Sequence, residues 1–244
     1  MVIAHSVFEY HYCTFDSPLT IATQTYMNAP LAFLFDLNGT MIDDMAYHIQ
    51  AWHRILNNLG ANISLEKMKE ECYGKNEELL ERIFPNRFSP EEKKQMSFEK
   101  EKAYQTAFAP SLQLISGLPA FLEKAYQKHI PMAIGSAAIM YNIDFVLNGL
   151  HLQHYISAIV SADDVKNSKP HPETFTKCAL ALGISPANCI VFEDAPKGVE
   201  AARNAGMKTI VITTMHEAAE FKEYDNILFF IKDYNDPKMT ALLD

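Results

Sequence analysis

Short apolar runs that stop at a polar or glycine residue, with helical stretches between them, constrain this chain more than any other feature. The first covers 31–35 (LAFLF) and ends at Asp36; others cover 131–135, 156–160, 189–192 and 209–212. Each is too short for a buried helix and apolar on both alternations, as expected of a parallel strand covered on both faces. Helical patterns at 118–129, 141–150, 172–182 and 197–205 separate the later runs. Gly183 and Gly206 follow two of these helices, where a left-handed residue commonly ends the helix. Strand and helix in alternation imply an α/β fold with a Rossmann-like parallel sheet. A late run at 227–231 is expected to add an edge strand.

The alternation breaks between 42 and 111. Helical patterns at 44–59, 65–72, 77–84 and 90–108 follow one another with no strand between them. Ser89 and Glu92 form a capping-box pattern around Pro90, which marks the start of the last. This predicts a four-helix cap domain at 43–111, inserted into a core of 29–42 and 112–244. Residues 1–28 have no clear period and read as an extension without chemistry. The Lys/Glu-rich stretch 90–104 reads as a solvated helix face.

A formal net charge of −9 argues against nucleic acid or an anionic membrane as a partner, while leaving room for a small phosphorylated molecule. No apolar run approaches the ~20 residues that span a bilayer. Cys13, Cys72, Cys178 and Cys189 lack C-x-x-C spacing, and three of them read as small core residues. A cytoplasmic monomer is the expectation.

Active sites of open parallel sheets form at the carboxyl ends of the strands. The first run ends in Asp36, Asn38 and Thr40 (DLNGT), and the second in Ser136. The loop after the third carries Lys169, and the fourth ends in Glu193 and Asp194. Each residue alone reads as a cap or surface group. Together, in chain order at one sheet edge, they suit metal-assisted phosphoryl transfer. Asp36 and Asp194 are hard oxygen ligands for Mg²⁺, and Asp36 is also a nucleophile. Lys169 supplies fixed positive charge, and Ser136 can donate to phosphoryl oxygens.

This series of motifs resembles the haloacid dehalogenase superfamily from about residue 31 onward, and within it the β-phosphoglucomutase-like branch. The resemblance implies a Mg²⁺-dependent phosphatase or phosphotransferase acting on a small phosphorylated metabolite through an aspartyl-phosphate on Asp36. It implies that Ser136 and Lys169 hold the phosphate. The metal would sit among Asp36, Asp194, the carbonyl of Asn38 and the adjacent Glu193. In YHIQAWHRIL, His48 and Trp52 match a hinge His and Trp; with Lys75 and Ala137 they are expected to face the substrate.

Three departures matter. Asn38 replaces the branch's acid–base aspartate, and acid–base help typically contributes about 10²–10⁴-fold. Turnover of sugar phosphates is therefore expected to be slow, and Asn38→Asp to gain about two decades. Glu77 stands where the mutases carry a phosphate-clamping Arg, and Ile139 where they carry a Lys, so a phosphatase fits better than a mutase. A catalytically weakened phosphometabolite-binding homologue is the alternative from a different class. Phosphonate cleavage would need a Schiff-base lysine, for which Lys75 is the candidate.

Overall fold

The computed structural model describes residues 31–244. The expected extension at 1–28 and Cys13 lie outside them. Six parallel strands are ordered β3-β2-β1-β4-β5-β6. They are β1 (Ala32–Phe35), β2 (Met132–Gly135), β3 (Ala158–Val160), β4 (Cys189–Glu193), β5 (Lys208–Ile212) and β6 (Ile227–Ile231). The late run is the edge strand expected of it. The chain winds outward from β1 to β3, then returns to place β4 on the other side of β1, so the strand order reverses between β1 and β4.

The strands are apolar on both alternations because each face has its own cover. Phe33, Phe35, Ile190 and Phe192 face one side. There they meet α5 (Leu118–Gln127), α6 (Met140–Leu150) and α9 (Pro237–Leu243). The intervening Ala32, Leu34, Cys189 and Val191 face the other side. Small residues there admit α7 (Glu173–Leu182) and α8 (Pro196–Asn204). The first face is aromatic at its centre: Phe35 stacks on Phe192 with centroids 4.6 Å apart, and Phe121 meets Phe192 edge-on at 5.5 Å. Helix α9 was not expected. It is short, and only Met239 and Leu243, four residues apart, enter the core, which gives little periodic signal.

Four helices are inserted after β1: α1 (Met45–Asn58), α2 (Leu65–Glu71), α3 (Asn76–Ile83) and α4 (Pro90–Phe108). They enclose a separate apolar cluster that includes Trp52, Leu56, Met68, Leu79 and Leu80. The capping box at the start of α4 is formed, with Ser89 accepting from the Glu92 amide at 3.2 Å and Glu92 from the Ser89 amide at 2.8 Å. The solvated face expected over 90–104 needs correction. Ser97, Lys100, Glu101, Tyr104 and Phe108 form a buried stripe down α4 at helical spacing. Its last two members pack with the sheet's aromatic cluster.

Phe192 lies between Phe33, Phe35, Phe121 and Tyr234 and immediately precedes Glu193, the last residue of β4. Phe192→Ala is expected to lower stability by about 3–5 kcal/mol, measured by denaturant unfolding.

Candidate active site

The reversal of strand order leaves a crevice beyond the carboxyl ends of β1 and β4, and the polar residues of the site converge there. Asp36 follows β1, Ser136 follows β2, and Glu193 closes β4 with Asp194 next. Lys169 arrives from the loop ahead of α7. Its Nζ donates to Asp36 Oδ1 at 2.6 Å and to Glu193 Oε1 at 2.8 Å, and all three side chains are at least nine-tenths buried. The other Glu193 oxygen, Oε2, accepts from the amides of Asp194 and Ala195 at 2.8 Å each. Both oxygens of Glu193 are therefore engaged, one by the lysine and the other by its own turn.

Asp194 is different. It is buried, and its carboxylate accepts one long hydrogen bond, 3.4 Å from Thr40 Oγ1. Gly39 lets it come so close to the first turn: at φ +76°, a Cβ there would collide with the Asp194 carboxylate. The turn itself is braced by Thr214 Oγ1 donating to the Gly39 carbonyl at 2.7 Å and Tyr234 OH to the Thr40 carbonyl at 3.0 Å.

Three buried carboxylates face one ammonium. Burial pushes the Asp36 carboxyl up to about 7; Lys169 opposes the rise and Glu193 adds to it. Burial, then Glu193 and Asp36, hold Asp194 well above the usual carboxylate range. Burial works against the charge on Lys169, but Asp36 and Glu193 outweigh it and hold its pKa above the ordinary lysine value. A site with surplus buried negative charge suits a hard divalent cation. Among the described residues no group of three or more His, Cys, Asp or Glu side chains is arranged to hold a metal. Asp36 and Asp194 with a backbone carbonyl suit Mg²⁺, which keeps several waters.

Above this floor lies a cavity of about 430 Å³, lined by Asp36, Asn38, Ser136, Ala137, Lys169 and Asp194 from below and by His48, Trp52, Lys100 and Glu101 from the cap helices. Ser136 Oγ accepts from the Ala138 amide at 3.1 Å, which leaves its hydroxyl hydrogen free for a ligand. Lys75 and Glu77 do not line the cavity. Lys75 Nζ donates instead to the Val165 carbonyl at 2.5 Å.

The side chains that sequence reasoning missed are Asp44, Lys100, Glu101 and Asn142. Glu101 is 3% exposed and accepts from Asn76, Lys100 and Asn142 at 2.6–3.0 Å. The spacing of 97, 100/101, 104 and 108 carried a helical stripe, but charged residues within it hid the signal.

The profile of the haloacid dehalogenase-like hydrolases matches residues 33–212. The fructose-1-phosphate phosphatase of Escherichia coli is 30% identical, over 72% of this chain and 93% of its own. The β-phosphoglucomutase of Bacillus subtilis is also 30% identical, over 72% of this chain and 80% of its own. A family IA hydrolase of this type from Entamoeba histolytica superposes with a TM-score of 0.77 at 28% identity, covering 87% of this chain and 99% of that one. The chain belongs to the haloacid dehalogenase-like hydrolases, among relatives named as phosphatases and as a β-phosphoglucomutase.

Proposed function

We propose that the chain is a Mg²⁺-dependent phosphatase for a small phosphorylated metabolite, with a sugar monophosphate as the favoured class. The observation that carries this is the Lys169 ammonium fixed between Asp36 and Glu193, while Asp194 has no cation partner among the described residues. The sugar-phosphate preference comes from the named relatives, the fructose-1-phosphate phosphatase above all.

In this reading Asp36 attacks phosphorus and becomes an aspartyl-phosphate, which water then hydrolyses. Lys169 neutralises Asp36 in the resting enzyme and the phosphoryl oxygens as charge moves to them. Ser136 donates its free hydroxyl hydrogen to one of those oxygens. Asp36, Asp194 and the Asn38 carbonyl would hold Mg²⁺, which would supply positive charge to offset the remaining negative charge on the phosphate. Helix α1, which carries both His48 and Trp52, covers the cavity and excludes water. Asn38 neither gives nor takes a proton, so the leaving oxygen draws its proton from water, and good leaving groups are favoured. That same amide favours the alternative, a phosphometabolite-binding protein with little turnover.

Phosphate release from p-nitrophenyl phosphate and a panel of hexose phosphates is expected to require Mg²⁺, with the aryl ester the faster. Asp36→Asn should abolish it. Release from no ester, with binding still visible in the fluorescence of Trp52, the single tryptophan, would favour the binding protein. Asp194→Asn removes a buried carboxyl whose ionisation its surroundings oppose and which lacks a cation partner among the described residues. It should raise the stability of the metal-free protein at neutral pH by on the order of 1 kcal/mol in denaturant unfolding, and abolish the shift in melting temperature on adding Mg²⁺.

A further inference from the structure

Asp44 is fully buried and is not one of the carboxylates the proposed chemistry uses. Its Oδ2 accepts from Asn38 Nδ2 at 2.6 Å and from the Tyr104 hydroxyl at 2.5 Å, and His48 Nε2 stands 3.2 Å away. Across the imidazole, Lys100 Nζ is 2.5 Å from His48 Nδ1. An ammonium only donates, so Nδ1 accepts, the ring proton is on Nε2, and that proton points at Asp44. Every group around Oδ2 is thus a donor. This pocket is built for an acceptor at Oδ2, with Lys100 Nζ on the far side of the imidazole.

The same accounting orients Asn38. A flipped amide would let its oxygen accept from His48 Nε2 at 3.1 Å but would set it against the Asp44 carboxylate at 2.6 Å, acceptor to acceptor, and the shorter contact decides the orientation. The nitrogen therefore faces Asp44. The oxygen, which has no protein donor among the described residues, is left to the cavity that Asn38 lines.

We infer that Asp44 is a positioning residue: it holds position 38 as an amide with its oxygen toward the substrate, and an aspartate at position 38 is ineffective beside it. This rests on the reading of position 38 as the acid–base position. Asn38→Asp would remove a donor from Asp44 and bring up a second acid at the same 2.6 Å contact. Two like charges would then touch, or one proton would be shared between them and withheld from the leaving oxygen. The simple repair expected from sequence is therefore opposed by the residue behind it. Exchanging the two groups, Asn38→Asp with Asp44→Asn, keeps net charge and volume and returns a donor to face the carboxylate at 38. The Tyr104 hydroxyl both donates and accepts, so it suits either arrangement.

The test compares the parent, Asn38→Asp, Asp44→Asn and the exchange. Melting temperatures are measured without metal or substrate, and Mg²⁺-dependent turnover is measured on hexose phosphates and p-nitrophenyl phosphate. Asn38→Asp alone is expected to melt lower and to gain at most about threefold on hexose phosphates. The exchange should recover stability beyond the sum of the single changes and gain about tenfold or more, out of the 10²–10⁴ that acid–base help supplies. Additive melting temperatures, or a gain of about a hundredfold from Asn38→Asp alone, overturn the inference. Coupled melting temperatures with no turnover by any of the four uphold the pairing of Asp44 with position 38, and the phosphatase reading alone then fails.

Discussion

The Lys169 ammonium holds the site together. Asp36 and Glu193 end adjacent strands, and their carboxylates would repel across the β1–β4 junction without a charge between them. The lysine reaches them from a loop, so a local feature of the 161–173 segment secures two elements distant in sequence. That loop is itself fixed: Ser161 and Asp164 bond to each other, and Glu173 accepts from the amides of Lys166 and Asn167. A lysine on such a loop arrives with little freedom left to lose, which favours the ion pair over its usual entropy cost.

The core and its site residues were legible because one physical rule governs both. Parallel strands buried on two faces read as apolar runs, and the residues just beyond their carboxyl ends must share one edge. Knowing where 31–35 and 189–192 stop was enough to bring Asp36 and Glu193 together before any distance was known. Pairing was less legible. Glu193 and Asp194 are neighbours in sequence, but β4 turns them apart: Glu193 caps its own turn and binds the lysine, while Asp194 points at Gly39.

The inserted helices were legible as helices and poorly as surfaces. Charged residues are seldom fully buried, so Lys100 and Glu101 read as solvent-facing. What buries them is not visible along α4 alone. Asn76, His48 and Asn142 come from three other elements, and only their convergence satisfies Glu101 and Lys100. Asp44 was hidden in the same way, since a residue at a helix start reads as a cap. Here it makes no side-chain cap bond and turns inward to Asn38, Tyr104 and His48.

The two polar clusters around the cavity therefore follow opposite designs. On the floor, Asp194 accepts one long hydrogen bond and three carboxylates share one lysine, so the cluster is left short of positive charge. A buried charge without partners costs stability, and such a cost is sensible where a ligand later supplies the partner. On the cap side, Asp44 Oδ2 and both oxygens of Glu101 are met by donors from the protein, with Lys100 between the two carboxylates. Among the described residues, the one oxygen of these two carboxylates left without a donor is Asp44 Oδ1, which is buried. The floor is arranged to take in charge and the cap side to hold a shape. Asn38 lies on the border between them, its backbone on the floor and its amide nitrogen held by the cap-side carboxylate. The chemistry open to position 38 is thus decided as much by Asp44 as by the asparagine itself.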